Sequence, residues 1–289
     1  MKPSLPLSTG VCLKPQHFDF ILEEQPDIGW LEIHPENYMS AGGPHHYYLS
    51  KLCERYPLSM HGVGMSLGSS TGIDEDHLRK LKRLVDLYQP AQVSEHLAWS
   101  HWNEIFLNDL LPLPYTHESL NVMCTNIDKV QSTLNKNILI ENPSVYIEYS
   151  MSDYDEPDFL NELCLRTGCE LLVDVNNIAV SAFNNNFNPL HYINKLPLNK
   201  IGEVHLAGHT VKPLHGDKVI RIDDHGSKIS AEVWSLLESL LSLSQRKLPL
   251  LVEWDTDIPS FDILLGEAQQ AQHIMQRACG KTTTDLSAC

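Results

Sequence analysis

The chain has 289 residues, a formal net charge of −16 and a hydrophobic fraction of 42%. This hydrophobic content is typical of a globular protein with a sizeable core. The negative charge argues against a nucleic-acid partner, because phosphate contacts depend on Lys and Arg side chains. The longest apolar runs, such as residues 138–140 and 171–173, have only the length of a strand, so we expect no membrane span.

The N-terminal residues and the cysteines indicate a cytoplasmic protein. Residues 1–6 lack the continuous apolar core of a signal peptide. The cysteines are odd in number, scattered and free of C-x-x-C spacing, which predicts reduced thiols rather than a disulfide framework. They are Cys12, Cys53, Cys124, Cys164, Cys169, Cys279 and Cys289.

Short apolar runs alternate with amphipathic segments along the chain, as expected for buried parallel strands separated by helices. The predicted strands are residues 30–34, 58–61, 92–96, 138–141, 171–174, 203–206 and 250–254, with an eighth near 219–223. The predicted helices are residues 76–88, 120–134, 156–167, 230–243 and 264–278. This alternation predicts a (β/α)₈ TIM barrel formed by a single domain over residues 1–279, followed by a loose polar tail at 280–289.

Nearly every predicted strand ends in His, Asp or Glu. The C-terminal ends of parallel barrel strands share one mouth, where barrel enzymes carry their active sites, so these side chains should converge. Buried carboxylates at this density repel one another unless cations offset their charge, which predicts a site for two or three metal ions. Nitrogen and oxygen ligands without cysteine favour iron, zinc or manganese. The candidate ligands are His61, His96, Glu141, Asp174, His205, Asp223, His225 and Glu253, with Glu141 and Asp174 as candidate bridges.

The motifs around these residues resemble those of the DUF692 family, the multinuclear non-heme iron-dependent oxidative enzymes. The matching stretches are LEIHPENYM (31–39), HGVGMSLG (61–68), SEHLAW (94–99), NDLLPLP (108–114), ENPS (141–144), DVNN (174–177) and HLAGH (205–209). The resemblance covers about residues 10–270.

The resemblance implies a TIM barrel of the xylose isomerase type, related also to endonuclease IV. It implies two or three iron ions in mixed Fe(II)/Fe(III) states, with dioxygen as co-substrate. The implied reaction oxidatively modifies cysteine residues of a ribosomally synthesised precursor peptide. A small partner protein that binds the leader region of the peptide is implied as well.

The resemblance also implies roles for individual residues. One iron would be held by His61, His96 and Glu141. The second would be held by Glu141, Asp174, His205 and Glu253, with Glu141 as the bridge. A third, weaker site would be formed by Asn177, Asp223 and His225, since the position of Asn177 is a histidine in endonuclease IV. Catalytic roles in positioning the peptide or moving protons are expected for His34, Glu36, Asn142 and His209, with hydrogen bonding to the metal ligands as the alternative.

Three other functions fit a metal-binding barrel. A zinc or manganese phosphodiesterase or endonuclease is disfavoured by the negative charge and by the lack of a basic cluster at the predicted strand ends. A sugar isomerase usually has a lysine beside its metals, and no predicted strand ends in one. A metal-storage protein would have ligands without an accessible cavity.

Overall fold

Eight parallel strands close into a barrel in the computed structural model, which describes residues 4–103 and 105–280. The described residues form the strands β1 (Thr9–Cys12), β2 (Leu31–Ile33), β3 (Leu58–Gly62), β4 (Gln92–His96), β5 (Trp99–Trp102), β6 (Ile105–Leu111), β7 (Leu139–Glu141), β8 (Glu170–Asp174), β9 (Ile201–Leu206), β10 (Thr210–Pro213), β11 (Val219–Ile222) and β12 (Leu250–Val252). The order around the barrel is β1-β2-β3-β4-β7-β8-β9-β12, and β12 closes it by pairing with β1. The predicted TIM-barrel fold is confirmed.

Helices connect the strands and pack outside the barrel. The described residues form the helices α1 (Phe18–Glu24), α2 (Pro44–Leu52), α3 (Glu75–Tyr88), α4 (His117–Leu134), α5 (Glu156–Thr167), α6 (Val175–Asn185), α7 (Pro189–Lys195), α8 (Ala231–Ser244) and α9 (Phe261–Gly280). The five predicted helices correspond to α3, α4, α5, α8 and α9. Side-chain caps fix the starts of the first three, where Asp74, Thr116 and Asp155 accept hydrogen bonds from the first-turn backbone.

The prediction of the eighth barrel strand was wrong. Val219–Ile222 pairs antiparallel with Thr210–Pro213 in a hairpin, β10–β11, that is separate from the barrel sheet. The eighth barrel strand is Thr9–Cys12, which pairs with β2 and β12. This strand is short and contains a glycine, and no acid or histidine follows it. It therefore lacks the pattern by which the other strands were recognised.

Two hairpins extend the connections that follow barrel strands. The hairpin β5–β6 lies between β4 and α4, and β10–β11 lies between β9 and α8. Both therefore belong to the mouth where the C-terminal strand ends meet. They expose apolar side chains that include Trp102, Phe106 and Val211.

The opposite end of the barrel is closed by a small apolar cluster of Leu5, Trp30, Ala91 and Leu251. The indole of Trp30 is fully buried, and its Nε1 donates to the carbonyl of Ser8 at 3.2 Å. Gly10 makes room for it, because a Cβ at this position would lie 2.4 Å from the indole. This end is packed for stability, as is usual for the bottom of a TIM barrel.

The predicted domain organisation stays a prediction. The described residues from β1 to α9 form or surround the one closed barrel, but residues 281–289 of the predicted tail lie outside the described part of the chain. Gly280, assigned to the tail, is the last residue of α9. None of the six cysteines in the described ranges forms a disulfide, and no helix within those ranges could cross a membrane.

Candidate metal centre

Three of the predicted ligands meet inside the barrel mouth at the ends of three adjacent strands. Nε2 of His61 lies 2.9 Å from Oε2 of Glu141, and Nε2 of His96 lies 3.1 Å from the same oxygen. Although these distances are short, Oε2 of Glu141 accepts no hydrogen bond. Three lone-pair-bearing atoms that converge without being aligned for hydrogen bonds are what an ion site requires.

The other ring nitrogens of both histidines are held by hydrogen bonds. Nδ1 of His61 lies 2.8 Å from the hydroxyl of Ser94, and Nδ1 of His96 lies 3.0 Å from the carbonyl oxygen of Gly62. A carbonyl oxygen only accepts, so Nδ1 of His96 carries the proton and Nε2 of the neutral ring keeps its lone pair. Such outer hydrogen bonds orient imidazoles that bind metals.

The two candidate bridging carboxylates are nearly inaccessible to solvent. Glu141 and Asp174 have exposed fractions of 1% and 0%. Burial by itself raises the pKa of Glu141, but the imidazoles of His96 and His61 outweigh burial and lower it. Burial also raises the pKa of Asp174, and the charge of Glu141 raises it further. Oδ1 of Asp174 accepts from the backbone of Asn177 at 2.7 Å, whereas Oδ2 has no hydrogen-bond partner.

His205 connects this group to Glu253 and to a deeper layer of acids. Its Nδ1 lies 3.0 Å from Oε2 of Glu253, and its Nε2 lies 3.2 Å from Glu32 and 3.3 Å from Glu203. Nε2 can therefore donate to the two acids that lie deeper in the barrel, while Nδ1 faces the mouth. The sequence analysis missed Glu32 and Glu203. The spacing Glu203-x-His205 was the available signal, since alternate residues of a strand point to the same face.

Asp223 and His225 lie beyond the hairpin β10–β11 and approach the same group. Nε2 of His225 is 2.7 Å from Oδ1 of Asp223, and its Nδ1 is 3.4 Å from Glu253 and 3.1 Å from Asp255. His225 has a positive φ of 44°, which is uncommon for a residue other than glycine. The structure thus brings these two predicted ligands next to Glu253.

The two asparagines of the predicted site lie beside its carboxylates. The amide nitrogen of Asn177 donates to Glu141 at 3.3 Å, and its oxygen accepts from Ser144 at 2.8 Å. A ligand role for Asn177 would require its amide to turn over. The side chain of Asn142 bonds to both the backbone N–H and the carbonyl of Asp174, which ties the ends of β7 and β8 together.

Of the remaining predicted site residues, only His34 contacts the proposed ligands. Its Nδ1 lies 3.2 Å from the carbonyl of His61, and its Nε2 lies 3.5 Å from Asp255 and 3.9 Å from Glu253. Burial by itself lowers the pKa of His34, but the hydrogen bond to Asp255 and the charges of Asp255 and Glu253 together raise it to about 9. His34 is thus suited to hold a proton at the mouth.

Glu36 and His209 point elsewhere. Glu36 accepts from the backbone N–H groups of Val63 and Gly64 at 3.0 and 2.9 Å. Nδ1 of His209 bonds to the side-chain oxygen of Asn176 at 2.8 Å, and Asn176 in turn donates to Asp223 at 2.7 Å. Burial, with the charge of Arg221 as a further cause, lowers the pKa of His209.

Lys14 corrects one argument made from the sequence. It follows β1, the strand that the prediction missed, and its Nζ lies 2.5 Å from Asp255. A strand at the mouth is therefore followed by a lysine, and the absence of one no longer argues against a sugar isomerase.

A cavity of about 900 Å³ opens beside this group. Its walls come from the β6 hairpin strand, the loop after β7 and the end of β11. They include Phe106, Asn108, Pro143, Tyr146 and Asp223. Among the candidate ligands, Asp223 lines this cavity.

The residues present fit a multinuclear metal site. Two sets of ligand atoms within 4.8 Å of one another share His61: one adds His96 and Glu141, and the other adds His205 and Glu253. Oε2 of Glu141, Oδ2 of Asp174 and Nε2 of His225 are buried without hydrogen bonds. Buried polar atoms are normally paired, so several unpaired ones in one place point to bound cations. The donors are imidazole and carboxylate, which suit iron, zinc or manganese.

Similar solved structures support the fold alone. Endonuclease IV from Thermus thermophilus superposes with a TM-score of 0.58 at 15% identity, covering 95% of this chain and 99% of that one. D-psicose 3-epimerase from Clostridium cellulolyticum gives a TM-score of 0.57 at 9% identity, covering 95% of this chain and 97% of that one.

Sequence relatives extend over nearly the whole chain. The UPF0276 protein of Vibrio vulnificus strain YJ016 is 45% identical over 267 residues, 92% of this chain and 91% of that protein. The UPF0276 protein of Psychromonas ingrahamii is 40% identical over 272 residues, 94% of this chain and 95% of that protein. The family model described as RiPP precursor modification enzyme MbnB/TglH/ChrH matches residues 8–276. The chain therefore belongs to this family of enzymes that modify the precursors of RiPPs, ribosomally synthesised and post-translationally modified peptides.

Proposed function

We propose that this chain is a multinuclear iron-dependent oxidase that uses dioxygen to modify cysteine residues of a ribosomally synthesised precursor peptide. The observation that carries the proposal is the buried Oε2 of Glu141, which lies near two imidazole nitrogens and accepts no hydrogen bond. Membership of a RiPP precursor modification family makes a peptide the expected substrate.

The three ion positions proposed are those that the family resemblance implies. His61, His96 and Glu141 would hold one iron, and Glu141, Asp174, His205 and Glu253 would hold a second. Asp223 and His225, with Asn177 if its amide turns, would hold a third. When bound, iron supplies a position for the cysteine thiolate and the redox chemistry by which dioxygen oxidises it.

The residues of the chain then have distinct tasks. Glu141 would bind two of the ions and offset part of their charge, while Ser94 and the carbonyl of Gly62 keep the imidazoles of His61 and His96 aimed inward. His34 holds a proton between Asp255 and the barrel mouth, where a substrate group could receive it. Asn142 fixes Asp174 through its backbone.

The cavity and the hairpins would receive the peptide. The cavity of about 900 Å³ is large enough for several side chains, and its walls carry the exposed Phe106 and Tyr146. A small leader-binding partner would deliver the peptide to this opening, and we expect the reaction to take place in the cytoplasm. The exposed apolar residues of both hairpins offer contact area for such a peptide or partner.

Anaerobic purification followed by metal analysis and oxygen consumption tests the proposal. We expect at least two equivalents of iron and oxygen uptake on addition of a cysteine-containing precursor peptide encoded beside this gene, together with its partner protein. The peptide mass should change, and the matched Cys→Ser peptide should not react. Stoichiometric zinc without iron, or no oxygen uptake with the iron-loaded enzyme and its encoded peptide, would overturn the proposal.

A further inference from the structure

A second cluster of ligand-type side chains lies on the outer side of the same strand ends. Glu95 precedes the proposed ligand His96 on β4 and therefore points to the opposite face. It meets Glu36, from the turn after β2, and His77, from the first turn of α3. Ligand atoms of these three residues lie within 4.8 Å of one another.

Each side chain of this cluster keeps one polar atom without a hydrogen-bond partner in the protein. Oε1 of Glu95, Oε2 of Glu36 and Nε2 of His77 are buried without hydrogen bonds, and Glu95 is only 2% exposed. Nε2 of His77 lies 3.3 Å from Oε1 of Glu36, again without the alignment of a hydrogen bond. Among the described residues, His77 is the one basic side chain within ion-pair distance of either carboxylate. When both carboxylates are ionised, a divalent cation would offset their charge.

Two glycines keep space for the cluster. A Cβ at Gly62 would lie 1.9 Å from Oε1 of Glu95, and a Cβ at Gly64 would lie 2.6 Å from Cε1 of His77. Neither glycine has a positive φ, so backbone conformation does not explain why glycine occupies these positions. The room they leave for Glu95 and His77 does explain the His-Gly-x-Gly pattern.

We propose that Glu36, His77 and Glu95 form a separate site for one divalent cation of the manganese, iron or zinc class. One imidazole and two carboxylates suit these ions. The site joins the turn after β2, the loop after β3 and the start of α3. Glu36 and His77 also line the cavity of about 900 Å³, so the ion fixes the wall against which a substrate would rest. This proposal goes beyond the proposed oxidase function and does not depend on it.

Mn²⁺ is a suitable probe, counted by elemental analysis after removal of unbound metal from the full-length protein. We expect His77→Ala and Glu95→Gln each to bind one equivalent fewer than the wild type. Glu141→Gln should lose the two central ions of the barrel, and adding His77→Ala to it should remove one further equivalent. His273→Gln, an exposed histidine in α9, is the control for surface binding and should match the wild type.

Anomalous diffraction from wild-type crystals soaked in Mn²⁺ tests the site without a variant. A peak between the three side chains is expected, separate from those of the barrel centre. Absence of this peak in crystals that show peaks at the barrel centre would overturn the proposal, as would unchanged metal content in folded His77→Ala and Glu95→Gln. A protein whose barrel centre proved to hold only zinc would contradict the oxidase function and leave this site intact.

Discussion

The two ends of the barrel use the same strands for opposite purposes. At the N-terminal end Trp30 and Leu251 are 0% exposed, and the one polar atom of the indole is hydrogen-bonded. At the C-terminal end Glu141 and Asp174 are just as buried, yet each keeps an oxygen without a partner. The unpaired atoms differ at the two ends. At the N-terminal end the hydroxyl oxygen of Ser8 is buried without a hydrogen bond, whereas at the C-terminal end such atoms include carboxylate oxygens, which can bind a cation.

A middle layer links the two ends. Glu32 and Glu203 contact Nε2 of His205, and Ser59 donates to Glu203 at 3.3 Å. Burial raises the pKa of Glu203 to about 8, and the charge of Glu32 adds to that effect. This layer orients His205 from below, as outer hydrogen bonds do for ligands in metal sites.

The largest effect is expected from Glu141→Gln. An amide is a poor metal ligand, and the substitution removes the charge proposed to bridge two ions, so the barrel centre should lose its two central ions. Oxidase activity should fall by more than about 100-fold, because loss of an outer-sphere partner alone costs 10- to 100-fold. Iron content and oxygen uptake measure both effects.

Chelation extends this test to stability. Ions that bind only the folded state raise its stability, so chelation should lower the Tm of the wild type much more than that of Glu141→Gln. Glu156→Gln is a matched control, because both oxygens of Glu156 accept from the hydroxyls of Tyr115 and Tyr192. The unpaired carboxylate oxygen of Glu141 is proposed to mark a metal ligand, which the hydrogen-bonded oxygens of Glu156 do not. Full metal content in Glu141→Gln, or an equal loss of metal in Glu156→Gln, would contradict this difference.

Trp30→Ala tests the other end of the barrel. Truncating a fully buried indole leaves a cavity and should cost about 3–5 kcal/mol in the free energy of unfolding. Urea denaturation of the metal-free protein measures this cost. The folded fraction should still bind the wild-type number of iron ions, because Trp30 lies at the far end of the strands. Metal loss from folded Trp30→Ala would show that the two ends are not independent.

The sequence predicted the inward ligands because strand ends converge by topology alone. His61, His96 and Glu141 needed only correct strand ends to be placed together. The prediction of the eighth strand failed because β1 owes its position to pairing with β2 and with β12, which lies near the other end of the chain. The apolar residues of β11, a hairpin strand outside the barrel, gave the same sequence pattern as a barrel strand.

Contacts that depend on helix packing were also beyond the sequence. Glu36 was expected beside the metals, but the structure turns it toward His77 of α3. The sequence pattern identifies Glu95 only as part of a motif, and strand alternation places its side chain on the face of β4 opposite to His96. Strand periodicity predicts which face a side chain occupies but not what it contacts there. The contacts of Glu36 and Glu95 with His77 depend on how α3 packs against the barrel.

The smallest effect is expected from Ser94→Ala, which changes an outer contact and no proposed ligand. The hydroxyl of Ser94 lies 2.8 Å from Nδ1 of His61 and fixes which nitrogen faces Glu141. Its loss should weaken metal binding by about 10- to 100-fold, measured by chelator competition, with the number of sites unchanged. Ser235→Ala, on the exposed side of α8, is the matched control.

The second imidazole limits the size of this effect. Because His96 is held by the backbone carbonyl of Gly62, its own contribution to affinity should persist, so Ser94→Ala should weaken the centre without abolishing it. Complete loss of metal from Ser94→Ala would mean that the two histidines are not oriented independently. Unchanged affinity would mean that the metal, rather than the hydroxyl of Ser94, orients the imidazole of His61.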